Sequence, residues 1–225
     1  MSMKIATWNV ERLKHKSKLA LIQKAIERIN ADILVLTETD SCINTGNYKY
    51  RIDSSFQLKR DKYPNYYLPT ENRITILTNY DLIKHHETYD KDTTLCVELK
   101  TPKGNLIVYG TIIGIYGNRN ENFKVDLDKQ LNDFDKLSKE NNLCIIGDYN
   151  ISFEDNYYFT NEGRNKLKDS FTQNNILLHT WNKKDCIDHI AISTLFTQGI
   201  KAEAEEWNKD KKLSDHKGIY VNLAD

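Results

Sequence analysis

Three carboxylates, two amides and a histidine stand at or just past the ends of apolar runs in this chain. Asn9 closes Thr7-Trp8-Asn9, Glu38 sits in Thr37-Glu38-Thr39, and Asp148 and Asn150 belong to Gly147-Asp148-Tyr149-Asn150. Asp215 and His216 lie in Ser214-Asp215-His216, and Ile187-Asp188-His189-Ile190 adds another carboxylate. Polar groups carried out of a core on strand ends converge readily at one rim of a sheet. Such a set offers oxygen ligands to a hard divalent cation and charged groups to a phosphate. Asp148 and Asn150 alternate about Tyr149, so on an extended segment both face one site. Taken alone, Gly-Asp-Tyr-Asn also reads as an Asx turn, and Ser-Asp-His as a turn or a helix cap.

The elements that must carry these groups follow from hydrophobic period. Residues 4–9 read as a strand. Residues 17–30 read as an amphipathic helix with Leu19, Ile22, Ile26 and Ile29 on one face. Residues 32–38 form the next apolar strand, so strand, helix and strand suggest a crossover unit. Residues 41–72 are irregular, with room for one or two short strands. Strands are predicted at 73–78, 93–100 and 106–111, the last two joined by a turn at 101–105. A second helix spans 122–139, with Phe123, Leu127, Leu131, Phe134 and Leu137 inward. The strand 143–147 delivers Asp148, residues 162–173 are helical, and strands at 186–193, 200–206 and 218–223 close the chain. Pattern alone supports α/β or α+β, and one domain over residues 1–225.

Composition narrows the classes. The chain has 225 residues, 39% apolar and 28% charged, which suits a soluble globular protein. No apolar run approaches the roughly 20 residues needed to span a bilayer. The first residues lack the basic-then-apolar order of a secretory signal. Cys42, Cys96, Cys144 and Cys186 show no Cys-x-x-Cys spacing and read as buried, reduced thiols. A cytoplasmic location is the expectation. Lys plus Arg equals Asp plus Glu at 32 each, which argues against extended, non-specific DNA binding but leaves a local basic rim open.

In order and identity, the five pieces quoted above resemble the endonuclease/exonuclease/phosphatase superfamily, the group of exonuclease III and DNase I. The resemblance runs from Lys4-Ile5-Ala6-Thr7-Trp8-Asn9 to Ser214-Asp215-His216-Lys217-Gly218. It implies a four-layer α-β-β-α sandwich of two mixed sheets with flanking helices. It implies Mg²⁺, with Mn²⁺ as a substitute, held by Glu38, Asn9 and Asp215. It casts Asp148 as the group that activates or orients the attacking water, and Asn150 as the group that positions the phosphate. His216, protonated and oriented by Asp188, would stabilise charge on the phosphorane. Glu11 stands where some relatives carry Asp. His189 replaces the aromatic that often follows this Asp and is read as structural, while His15, His85, His86 and His179 match nothing. Many relatives place a histidine or tyrosine at the end of the strand that is 106–111 here. No histidine follows it, so Tyr116 as a catalytic group and Asn118 beside it are the candidates if the loop is longer.

Basic residues crowd the same loops: Arg12, Lys14 and Lys16, then Arg119, Lys183 and Lys184, and Lys209, Lys211 and Lys212. Lys14, Asn118 and Arg119 are the candidate substrate contacts, and cations at one rim would steer a phosphate. Among 13 tyrosines, Tyr63, Tyr66, Tyr67, Tyr157 and Tyr158, together with Phe159, fall in loop-like segments. They either stack on bases or pack under loops. Trp181 and Trp207 read as core or rim packing. The expected function is a Mg²⁺-dependent phosphoesterase, foremost a nuclease on DNA or RNA. The alternative is a phosphatase or phosphodiesterase on a small-molecule or lipid phosphate. Nucleic acid is the expected partner, as substrate, and no obligate protein partner is evident.

Overall fold

Side chains alternate across a strand, so a strand apolar on both faces must lie between two layers. Strand β2 (Ile33–Asp40) sends Ile33 and Val35 to one face and Leu34 and Leu36 to the other, and all four are buried. The computed structural model of the chain describes residues 2–14, 16–54, 68–114, 121–139 and 141–224. Within them, two six-stranded sheets pack face to face.

The first sheet runs β11-β12-β1-β2-β4-β3 and the second β5-β6-β7-β8-β10-β9. Strands β1 (Met3–Asn9) and β2 are parallel and joined through helix α1 (Leu19–Ile29). Strands β7 (Gly104–Ile112) and β8 (Leu143–Asp148) are parallel and joined through α2 (Glu121–Leu137). The remaining pairs are antiparallel: β3 (Tyr50–Asp53), β4 (Glu71–Thr78), β5 (Asp81–His86), β6 (Thr94–Thr101), β9 (Ile176–Leu178), β10 (Asp188–Ser193), β11 (Lys201–Trp207) and β12 (Gly218–Ala224). Helix α3 (Asn161–Gln173) precedes β9 and is capped by Thr160, whose hydroxyl accepts from the Gly163 amide.

Three apolar clusters fill the layers. Ile5, Val35 and Ile76 meet Val108, Ile146 and Ile190 between the sheets. Ala6, Trp8 and Leu34 pack under Ile22 and Ile26 of α1. Tyr109, Leu143 and Ile145 pack under Phe134 of α2 and Phe171 of α3. The four-layer sandwich expected from the resemblance is present.

Local differences have local causes. Helix α1 begins at Leu19, after a 3-10 turn at Lys16–Lys18 with no capping side chain. Strands β5 and β9 lie outside every predicted strand. Strand β5 is an edge strand with mostly exposed residues, and β9 has three residues, so neither carries a clear apolar period. The irregular stretch supplies β3. Cys96, Cys144 and Cys186 are buried as expected, but Cys42 is exposed in the turn after β2. Trp207 packs against Trp8, whereas Trp181 is exposed.

Candidate active site

Strand register brings the separated motifs to one rim. In the parallel pair β1–β2, Asn9 faces Thr37, one residue before Glu38. In the antiparallel pair β8–β10, Asp148 lies opposite Asp188. Gly147, just before Asp148, has φ +140, and a Cβ there would come within 2.1 Å of the Thr111 carbonyl oxygen. Only glycine lets β8 pass that close to β7.

Packing of one sheet on the other then joins the two pairs. Asn9 Nδ2 donates to Asp148 Oδ2 at 3.1 Å across 139 positions of sequence. The other Asp148 oxygen accepts from the Asn150 amide at 2.9 Å. Asn150 is left-handed at φ 51, and one N–H of its side-chain amide bonds the Ile113 carbonyl at 2.9 Å. The second N–H of that group is left for another acceptor. His216 Nδ1 sits 2.6 Å from Asp188 Oδ2, and the Asp215 carboxylate lies 3.8 Å from His216 Nε2. Asp188 is 1% exposed, and its Oδ1 is buried without a partner among the described residues.

The loop that presents His216 is clamped from behind. Asn208 Nδ2 donates to the Ser214 and His216 carbonyls at 2.9 and 2.7 Å. Trp8 Nε1 reaches the same His216 carbonyl at 3.1 Å, and the Ser214 hydroxyl donates to the Asn9 carbonyl at 2.7 Å. At the other side of Asn9 the chain turns left-handed through Glu11, Arg12 and Leu13, with φ of 55, 56 and 50. Left-handed L-residues cost about 1–2 kcal/mol each. Each of the three is anchored: the Glu11 amide donates to Asn9 Oδ1, Arg12 pairs with Glu71 at 3.0 Å, and Leu13 is buried.

Glu38 is itself left-handed, at φ 46. Arg73 Nη1, only 4% exposed as a side chain, donates to its Oε1 at 3.0 Å. Lys14, the sequence candidate for a substrate contact, pairs with Glu11 at 3.1 Å and feels Asp215 and Glu38 as well. Tyr116, Asn118 and Arg119 lie outside the described residues, as do His15, Tyr63, Tyr66 and Tyr67.

This acid-rich rim perturbs its members. Burial pushes the Asp148 carboxyl up to about 7; Asp188 and Glu38 add to the rise and His216 opposes it. Burial pulls the His216 imidazole down, but Asp188, Asp148 and Asp215 outweigh it and hold the ring at about 10. His216 is therefore charged at neutral pH. His189, by contrast, is pulled by burial to about 4 and spends both ring nitrogens, on Thr180 and on the Ile151 carbonyl. It is structural, as its place on the opposite face of β10 predicts.

Among the described residues, no three His, Cys, Asp or Glu side chains come together as a metal cage. Mg²⁺ does not require one, because it keeps several waters and is often held by one or two carboxylates. The donors here fit such an ion. Glu38 Oε2 has no protein partner among the described residues, and Asn9 Oδ1 takes a single amide. All are hard oxygens.

Sequence reasoning named Asn9, Glu38, Asp148, Asn150, Asp188, Asp215 and His216, and the fold brings all seven to this rim. It missed Arg73, Trp8 and Asn208. Arg73 had a signal, since an arginine opening an otherwise apolar strand needs a buried partner. Trp8 and Asn208 act through backbone carbonyls and had none.

Two mixed sheets face to face, helices outside and this rim define the α/β sandwich of DNase I-like phosphoesterases. The model of the Endonuclease/Exonuclease/phosphatase family matches residues 6–216, and the chain belongs to that family. Members are hydrolases of phosphate ester bonds and generally depend on a divalent metal. No curated protein matches the sequence. Among solved structures, an endonuclease/exonuclease/phosphatase from Beutenbergia cavernae DSM 12333 aligns with TM-score 0.69 at 14% identity, over 99% of this chain and 71% of that one. Truncated TDP2 from Caenorhabditis elegans aligns with TM-score 0.70 at 12% identity, over 100% and 98%. The 3' phosphatase NExo from Neisseria, bound to a product DNA hairpin, aligns with TM-score 0.70 at 16% identity, over 97% and 98%. At such identities the likeness concerns the fold.

Proposed function

We propose that this chain is a divalent-metal-dependent phosphodiesterase, foremost a nuclease on DNA or RNA. The observation that carries it is the His216–Asp188 pair, which joins the two sheets beside buried Asp148. Asp148, held by Asn9 and the Asn150 amide, takes a proton from the attacking water. His216 holds its proton on Nδ1 against Asp188, so Nε2–H points at the phosphoryl oxygen where charge develops. Asn150 offers its remaining N–H to a second phosphate oxygen. Glu38 and Asn9, with Asp215 through water, would hold Mg²⁺ or Mn²⁺, which supplies charge neutralisation at the phosphate. Tyr116, Asn118, Arg119 and Lys14 remain the proposed contacts to the rest of the substrate.

Residues 1–225 form one catalytic unit in this reading. Met3 from one end and Leu223 from the other share the core between the sheets. The four cysteines are free, which supports a cytoplasmic location. No helix of the described residues is long and apolar enough to cross a membrane.

A specific observation favours the second reading, a small phosphate ester. Part of the expected basic rim is neutralised: Arg12 by Glu71, Lys14 by Glu11, Lys211 by Asp185 and Lys212 by Asp210. A panel of abasic duplex, single-stranded DNA, RNA and inositol phosphates, each with Mg²⁺ and with chelator, separates the readings. Chelator-insensitive turnover would refute both. Turnover confined to inositol phosphates would refute the nuclease.

A further inference from the structure

A cavity of about 570 Å³ opens on the outer face of the first sheet, behind the loop that carries His216. Helix α1 covers β1 and β2 but leaves part of β12 and β11 bare. The cavity lies in that gap, within the size range of small-molecule pockets. Its floor is aromatic: the rings of Trp207 and Tyr220 lie 6.1 Å apart and tilted by 30°. Trp207 is fixed in place, since its ring packs on Gly218 so closely that a Cβ there would come within 1.9 Å of it. Its wall is cationic: Lys24 and Arg28, one turn apart on α1, are exposed and take no carboxylate among the described residues. The Lys4 ammonium lies over the Tyr220 ring at 5.1 Å and donates to the Ile29 carbonyl at 2.8 Å, so it adds positive field there while Trp207 offers the stacking face. Among the described residues Glu206 is the one acid lining the cavity, and it is paired with Lys217 at 3.3 Å; Glu205 beside it accepts from the Tyr220 hydroxyl at 2.7 Å.

A flat ring finds a stacking ledge here, and a phosphate finds unpaired cations at its edge. We propose that this cavity is a binding site for a nucleoside monophosphate, separate from the catalytic rim. The site stands whether or not the catalytic reading holds. Its probe is AMP, titrated by calorimetry in chelator into wild type, the Lys24→Ala/Arg28→Ala double variant and Asp188→Asn. Both lysine and arginine are exposed, so the double variant is expected to fold, and Asp188→Asn keeps the shape of the rim; melting temperatures check both. Wild type and Asp188→Asn should bind AMP with Kd values within about twofold. The double variant should bind about a hundredfold more weakly, one factor of ten for each charged contact. Adenosine, lacking the phosphate, should resemble the double variant. Absence of AMP binding to wild type, an unchanged Kd in the double variant, or binding lost only in Asp188→Asn would each overturn the site.

Discussion

Replacing Asp188 by Asn tests the charge on His216 without emptying the site. His216→Ala would leave the Asp188 carboxylate buried and unpaired, a cost of about 3–5 kcal/mol that confounds chemistry with folding. Asp188→Asn keeps the shape and an acceptor for the Nδ1–H. With the ring held at about 10, His216 is almost fully charged at pH 8. Losing the bonded carboxylate removes the largest raising influence on the ring, so it falls toward its ordinary value near 6.5, with Asp148 and Asp215 still raising it. At that ordinary value about 3% of the ring is charged at pH 8, so turnover should fall by up to roughly thirtyfold. The loss should deepen about tenfold per pH unit above that, and shrink toward nothing below about pH 6, where both rings are protonated. The assay is the ratio of variant to wild-type kcat on the best substrate from the panel, between pH 5.5 and 9. Titration of the labelled histidine ring by NMR supplies the protonation state directly. A ratio that does not change with pH would show that Asp188 merely packs, and would refute the reasoning.

Glu38→Gln should weaken Mn²⁺ binding by roughly tenfold or more in calorimetry, because the ion depends on one or two carboxylates; an unchanged affinity would move the metal elsewhere. Asp148→Asn should bind substrate at least as well as wild type, since a negative charge is removed, yet turn over orders of magnitude more slowly; wild-type kcat would reduce Asp148 to a turn residue. Asn208→Ala removes two donors from the His216 loop and should cost about 1–3 kcal/mol in urea unfolding, with kcat lowered more than KM is raised; an unmoved kcat would show that Trp8 and Ser214 hold the loop without it. In chelator, the stability that His216 contributes should be full below about pH 6.5 and be lost as pH rises through about 10, because its folded pKa is raised. The gap in melting temperature between wild type and His216→Gln should close over that window, and a gap constant in pH would contradict the charge assignment.

Much of this molecule is written in local pattern. Runs such as Ile33-Leu34-Val35-Leu36 and Leu143-Cys144-Ile145-Ile146 mark strands buried on both faces, and the 3.6-residue period of Leu19, Ile22, Ile26 and Ile29 marks α1. The acids, amides and histidine that follow such runs were therefore legible as strand-end groups, and their order along the chain pointed to the family. Strands β5 and β9 escaped because an exposed edge strand and a three-residue strand impose no period on sequence.

Tertiary structure alone decided which polar groups meet. Asn9 reaches Asp148, and Asp188 stands opposite Asp148, through strand register and the packing of one sheet on the other. Arg73 reaches Glu38 because β2 and β4 pair antiparallel; its place in an apolar strand announces that it needs a partner, but not which one. Four of the lysines and arginines that looked like a basic surface, Arg12, Lys14, Lys211 and Lys212, are paired with Glu71, Glu11, Asp185 and Asp210. Burial is a local, periodic property that each residue's neighbours in sequence encode. Charge partnership acts over a few ångströms between distant segments, so it exists only once the two sheets have closed on each other.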